Sequence, residues 1–393
     1  MFCSWLIFFF EKFRNTCIRN YDLDAAHYYS APSLAWDASL KMTKVELELI
    51  REQPMYDFVE KGIRGGISII SKRFSQANHK GCRKFDPDKI LKHLIYLDAN
   101  NLYGWAMSQH LPVKDFQFLT KSEIKKRFPN YAINIGDYND TGYILKVDIE
   151  YPSHLHDAHN CLPLAPESIM IDETMYSPFQ KGFPKQLPQK RLSPNLMNKT
   201  NYIVHYRNLK LYTELGMKIT KIHSVLSFTQ SPWLAKYIQY NTDCRSRAKS
   251  SFEKNFYKLM NNAVFGKTQE NLRNRVNVEV ITDKKTALKR VAKPNFKRSQ
   301  TIHDDLVVIQ SAITTLKLNK PIYVGLSVLD LSKLLMYKFH YQHIKVKYDK
   351  NVELCFSDTD SLLYEIQTED VYRDMETCTI LVIIQNTTTY KVT

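Results

Sequence analysis

The densest chemistry in the chain lies at residues 356–361 (FSDTDS), where Asp358 and Asp360 stand one residue apart between two apolar runs. Two like charges about 4 Å apart near a surface repel by roughly 4 kcal/mol. A fold keeps such a pair close only if a divalent cation neutralises it or one proton is shared. Oxygen donors in an open geometry suit Mg2+. The plainer alternative is a solvated, Asp-rich hairpin turn. Asp98 is a second acid, at the end of the short apolar run 94–97 (LIYL). An acid there is costly unless it is paired, metal-bound or capping a helix. A third group is cationic. In one helix expected over 247–266, Arg247, Lys254 and Lys258 share a face, with Asn262 four residues further on. Cations ending in an amide suit a triphosphate, and a solvated charged face has the same pattern.

Several elements must position these groups. Run 94–97 reads as a buried strand, with a helical turn or two at 102–109. Residues 142–151 (GYILKVDIEY) place Leu145, Val147, Ile149 and Tyr151 on one face, a half-solvated antiparallel strand. Residues 62–66 (GIRGG) are a rare glycine cluster, followed by a polar, basic surface loop over 71–92. Segment 176–201, with Pro178, Pro184, Pro188 and Pro194 among lysines, is basic and extended. Residues 203–215 read as a helix closed at Gly216. Ser231-Pro232 opens a second helical stretch, broken once, that reaches about Phe265. Residues 352–366 read as two strands around the acidic turn. The first ten residues (MFCSWLIFFF) are too short to span a membrane and lack a cleavage signal. They read as one side of a buried helix. Beyond Ile366 the pattern decays into a Thr-rich tail, residues 374–393.

Composition bounds the class. The 393 residues carry 55 Lys+Arg against 40 Asp+Glu, a net charge of +15, with 44% hydrophobic residues. This excludes a disordered chain, allows two or three domains and points to a polyanionic partner, most simply nucleic acid. The 7 cysteines form no C-x-x-C pair, which argues against a disulfide framework or zinc ribbon and for a reducing compartment, nucleus or cytoplasm. His154, His156, Asp157 and His159 read as a polar loop in preference to a zinc site. Residues 184–191 read as a basic loop near DNA in preference to a nuclear address.

The order of these signals resembles a palm-type nucleotidyl transferase of DNA polymerase family B, most closely the protein-primed organellar and viral subgroup. Residues 98–103 (DANNLY) look like that family's first motif, D-x-x-S-L-Y. Residues 258–266 (KLMNNAVFG) look like the second, K-x-x-x-N-S-x-Y-G, and 358–361 like the third, D-T-D-S. Gly65-Gly66 resembles the Y-x-G-G element. Stretches 96–107, 204–212, 258–268 and 319–333 look like polymerases of self-synthesising Maverick/Polinton transposons. The resemblance covers about residues 20–370.

The resemblance implies an α+β fold with a palm-type antiparallel sheet flanked by helices, and α-helical fingers. It divides the chain into an N-terminal segment (1–92) leading from an exonuclease domain, a first palm segment (93–150) and an insertion that would engage a terminal priming protein (151–230). Fingers (231–270), a second insertion (271–320), a second palm segment (321–370) and an atypical tail (371–393) would follow. The exonuclease and thumb domains have no recognisable motif here. Asp98, Asp358 and Asp360 would be catalytic, holding two Mg2+ ions (Mn2+ may substitute) with the Ala99 carbonyl. Leu102, Tyr103, Lys254, Lys258, Asn262, Phe265 and Gly266 would bind the deoxynucleoside triphosphate, Tyr103 excluding a 2′-hydroxyl. Arg64, Gly65, Gly66, Thr359 and Lys333 would meet the DNA template and primer. The sequence departs from the family pattern at Asn101, Ala263, Phe265 and Ile63, and 327–333 lacks a clear T-x-x-G/A-R. Two other functions stand beside a DNA-directed DNA polymerase. An inactive remnant would bind DNA without incorporation, and another Mg2+ enzyme such as a nuclease would cut it.

Overall fold

The computed structural model describes residues 2–128, 135–183 and 190–376. Its fold is α+β, with antiparallel sheets flanked by helices. Helix α1 (Phe2–Tyr21) and α2 (Ala31–Thr43) open the chain, followed by α3 (Gln53–Gly62) with a proline in its first turn. The expectation of a buried first decapeptide is corrected. It is helical, but Ile7, Phe8, Phe9 and Phe10 are 46–64% exposed. Four consecutive residues sweep most of the way round a helix, so they cannot share one inward face. The inward face is instead Phe13, Cys17 and Tyr21.

The sheet that carries the acids has strand order β1 (Ser68–Ile70), β12 (Val352–Asp358), β13 (Ser361–Ile366), β2 (His93–Asp98), all pairs antiparallel. The strand of the N-terminal segment therefore belongs to this sheet. β2 lies at its edge, and it is half-buried where a buried strand was expected. His93 and Ile95 point inward, while Leu94 and Tyr96 stay exposed. Alternation of that kind marks a sheet with one open face. Its covered face meets the π-helical turn Phe339–Ile344, where the His340 ring stacks on Tyr364 and its Nδ1 lies 3.0 Å from the Tyr364 hydroxyl.

The second sheet has order β3 (Leu111–Phe118), β8 (Lys218–Ser231), β4 (Thr141–Glu150), β7 (Lys199–His205). Residues 203–205, expected in a helix, finish β7, because the aromatic and β-branched run Tyr202–Val204 pairs with β4. The helix α5 (Tyr206–Glu214) begins only after it and closes at Gly216, whose φ of +99° only glycine adopts readily. β8 likewise runs through Ser231, so α6 (Ala235–Arg247) starts three residues later than expected. Ala248 is extended and Ser250 caps the next helix, α7 (Ser251–Thr268). Arg247 therefore ends α6 and does not share a helix with Lys254 and Lys258.

Residues 271–320 hold a separate three-stranded sheet, β9 (Val276–Ile281), β10 (Phe296–His303) and β11 (Leu306–Ala312), covered by α8 (Lys284–Val291). At the centre lies α9 (Ile322–Lys338), apolar on all sides and buried almost throughout. It touches α3, α5, α7, β3 and β7. Within the basic segment, β6 (Lys190–Ser193) pairs with β5 (Glu167–Met170), which precedes it. Residues 184–189 and 377–393 of the expected basic loop and tail lie outside the described residues. Cys17, Cys82, Cys161, Cys244 and Cys355 are free thiols. No helix among the described residues is long and apolar enough to cross a membrane.

Candidate active site

Asp98 is the last residue of β2 and stands opposite Ser361, the first of β13. Beyond it, the Ala99 N–H donates to the Asp360 carbonyl at 2.7 Å, so the first acid is stitched to the acidic turn. Asp358 ends β12, opposite Ser361 on one side and Ser68 on the other. Between them Thr359 takes φ +57° and donates its N–H to the Ile67 carbonyl at 2.7 Å. A Cβ on Gly66 would fall 2.4 Å from Thr359 Oγ1. The glycine cluster is thus explained by close approach: it lets the turn press onto the lead-in to β1.

The Asp360 carboxyl titrates above the usual carboxylate range. Burial is the largest cause, the charges of Asp98 and Asp358 add to it, and Lys258 opposes them. Acids 260 residues apart in sequence therefore share one field with a cation from α7. Among the described residues, no three Asp, Glu, His or Cys side chains are drawn into a ready-made cation cage. The donor set still fits a hard divalent cation. All three side-chain donors are carboxylates, and their mutual repulsion is what such an ion relieves. The Ala99 carbonyl accepts the Leu102 N–H at 3.2 Å and keeps a second lone pair.

The expected nucleotide residues divide. α4 (Leu102–Met107) follows Asn101, held at φ +64°. Tyr103 on α4 stacks on Phe265 of α7, ring centroids 4.4 Å apart and 11° from parallel. Burial, then the Asp360 charge, raises the Tyr103 hydroxyl pKa. Lys254, Lys258 and Asn262 are exposed along α7. Gly266 is exposed too, with open space where a Cβ would lie, so nothing within the chain requires glycine there. Leu102 is buried, at 3% exposure.

Two residues expected to meet DNA have partners within the chain. Arg64 lies over the Tyr202 ring at 3.9 Å, and its guanidinium donates to the carbonyls of Gly62 and Ile203. Lys333 is 6% exposed, its amine donating to the carbonyls of Arg64 and Leu329. Burial lowers the Lys333 pKa to about 8. Both cations thus donate to backbone carbonyls of the chain. Gly65 is open and Thr359 is the turn itself. His159 is buried against the Tyr151 hydroxyl at 2.9 Å, which removes it from any zinc set.

Sequence reasoning missed two features. Glu365 on β13 is 3% exposed and is held by Lys72 at 2.8 Å, Lys92 at 2.7 Å and the Ser75 hydroxyl, which moors the basic loop to the sheet. An acid within an apolar strand was the available signal. A cavity of about 300 Å3 also opens beside the two acids, lined by Asp98, Asp360, Trp105, Arg207, Lys338 and Phe339. Its lining comes from five separate stretches, which no local pattern joins.

A family model described as DNA polymerase type B, organellar and viral, matches residues 6–346, ending short of the hairpin with Asp358 and Asp360. Among solved structures the chain is similar to Phi29 DNA polymerase complexed with primer-template DNA and incoming nucleotide substrates, at 14% identity and TM-score 0.49, covering 88% of this chain and 49% of that one. The orthorhombic crystal form of Phi29 DNA polymerase gives 15% identity and TM-score 0.49, with coverage of 89% and 50%. The chain thus spans about half the length of these matched polymerases. No curated protein matches it significantly.

Proposed function

Because this chain belongs to the type B DNA polymerases of organelles and viruses, we propose that it is a DNA-directed DNA polymerase, adding deoxynucleotides to a primer hydroxyl along a DNA template. The observation that carries the reading is the junction of β2 with the acidic hairpin, where Asp98, Asp358 and Lys258 all act on the Asp360 carboxyl.

Asp98, Asp358 and Asp360, with the Ala99 carbonyl, would hold two Mg2+ ions, for which Mn2+ can substitute. Bound there, such ions supply Lewis-acid activation of the attacking hydroxyl and neutralise the leaving pyrophosphate. Lys258 and Lys254 bring positive charge to the triphosphate oxygens, and Asn262 lies on the same exposed stripe. Tyr103 and Phe265 form an aromatic floor for sugar and base, Tyr103 filling the space a 2′-hydroxyl needs. The hydroxyl oxygen forms its bond to the α-phosphorus as the bond to the bridging oxygen of pyrophosphate breaks, and the hydroxyl proton is released. The cavity beside the acids offers room for the primer end. A net charge of +15 supports a long polyanionic partner held by phosphate contacts. A protein hydroxyl as primer, engaged by the insertion over 151–230, and descent from a Maverick/Polinton-type transposon belong to the same proposal, supported by the motif resemblance.

Primer extension with Mg2+ tests it. Template-directed incorporation should be lost in Asp98→Ala and in Asp360→Asn. Incorporation that survives either change refutes the assignment, and salt-sensitive DNA binding without incorporation in the unaltered protein assigns the remnant reading instead.

A further inference from the structure

Helix α7 carries Lys258, Asn262 and Phe265, yet it is held mainly by helices outside the acid-bearing sheet, α2 and α6. The small residues Ala35, Ala38 and Ser39 are buried on α2 and let it approach closely. Aromatic contacts tie α1 to the same helix: Phe13 meets Phe256 edge-on at 5.6 Å, and Tyr21 lies 6.2 Å from Phe256. Such contacts are only weakly directional and tolerate small slides or rotations.

A directional link runs through the same core. The Tyr21 hydroxyl donates to Asn241 Oδ1 at 2.6 Å, and Asn241 Nδ2 donates to Asn261 Oδ1 at 2.9 Å. The three residues are 5%, 0% and 4% exposed, so water offers no alternative partner. Alongside, Tyr240 donates to Asn20 Oδ1 at 3.0 Å and Tyr237 to the Met260 carbonyl at 3.1 Å. A buried amide that loses its partner bears the full desolvation cost, so only a narrow set of positions of α1, α6 and α7 satisfies the chain. Asn261 is the immediate neighbour of Asn262. A 10° turn of α7 moves a side chain lying about 6 Å from its axis by roughly 1 Å.

We propose that Tyr21, Asn241 and Asn261 form a positioning chain by which the N-terminal helices fix the rotation of α7, and with it the affinity for the incoming nucleotide. The inference rests on the polymerase reading above. None of the three touches the nucleotide; they act through Lys258, Asn262 and Phe265.

The test uses the full chain with a primer–template whose primer ends in a dideoxynucleotide. It reads the Kd of the correct deoxynucleotide by fluorescence, the Kd of the primer–template, and hydrogen exchange of the α7 amides. Tyr21→Phe keeps the ring contacts and removes one hydroxyl, so the fold survives. It should raise the nucleotide Kd about tenfold, leave primer–template affinity unchanged and speed exchange within 251–268. Asn261→Leu should do the same, and the double variant should be no worse than the weaker single, because one chain is cut at either end. Unchanged nucleotide Kd and exchange in both variants overturns the proposal, as does a parallel loss of nucleotide and primer–template affinity. If exchange rises as expected but the unaltered protein takes up no nucleotide, the polymerase reading fails and the positioning claim falls with it.

Discussion

Replacing Asp360 by asparagine separates two demands made on one residue. Its carboxyl titrates high because it is buried and faces Asp98 and Asp358, with Lys258 offsetting some of the effect. A carboxyl whose folded pKa lies above its unfolded value favours the fold at low pH, and that contribution is lost as pH rises through the folded pKa. At neutral pH the ionised Asp360 therefore destabilises the ion-free protein, and an isosteric amide removes the repulsion. Two charges about 6 Å apart in a medium of effective dielectric about 20 repel by about 3 kcal/mol, of which about 1 kcal/mol remains at a half-exposed site. In a chain of this size that raises Tm by about 2 °C. A divalent ion should stabilise the unaltered protein by about 1.4 kcal/mol at ten times its Kd, and the amide variant by much less. Incorporation should fall by at least about a thousandfold. Scanning calorimetry with and without MgCl2, beside primer extension, reads all three effects. An Asp360→Asn protein that melts below the unaltered one without Mg2+, or keeps the whole Mg2+ shift, refutes the reasoning.

Lys258→Met removes the cation that holds the Asp360 pKa down, so the acid limb of the pH–rate profile should move to higher pH while the nucleotide KM rises about tenfold; an unmoved limb places Lys258 elsewhere. Burial pushes Glu365 up, but Lys72, Lys92 and Ser75 hold it at about 2. Its stabilising contribution is therefore present above the unfolded pKa near about 4.3 and is lost as pH falls from there toward about 2. Limited proteolysis within 71–92 should rise over that window, and Glu365→Gln should show it already at neutral pH. Gly66→Ala forces a Cβ to within 2.4 Å of Thr359 Oγ1 and should lower both kcat and Tm. Adding Thr359→Gly removes the clash and suits φ +57°, so the double variant should recover, and a Gly66→Ala protein indistinguishable from the unaltered one contradicts the close approach.

The acids were legible because each sits where a strand pattern breaks, Asp98 after LIYL and the Asp358/Asp360 pair between two apolar runs. Their convergence came only from the family resemblance, since the β2–β13 pairing joins strands more than 260 residues apart and leaves no local trace. The shared face of Lys254, Lys258 and Asn262 was read from helical spacing and Phe265 from the motif resemblance, whereas Arg247 was misplaced because the break at Ala248 carries no proline or glycine. The cations Arg64 and Lys333 were read as DNA contacts from the family resemblance, which says nothing of their partners within the chain. Tyr202 and the backbone carbonyls that occupy them come from other regions of the chain. The last three residues of β7 were read as helix because Ile203 and Val204 join smoothly onto a true helical period at 206–214. The start of α6 was misplaced because Ser231-Pro232 has the form of a helix start while Ser231 still pairs with Leu111 in the sheet.

Binding of Mn2+ by electron paramagnetic resonance tests the shared carboxylate site most directly. Saturable binding should weaken at least about tenfold in Asp98→Asn and to a similar extent in Asp360→Asn, because both acids hold the same ions. Binding abolished by Asp360→Asn yet untouched by Asp98→Asn would mean that the hairpin pair works alone, and would contradict the account.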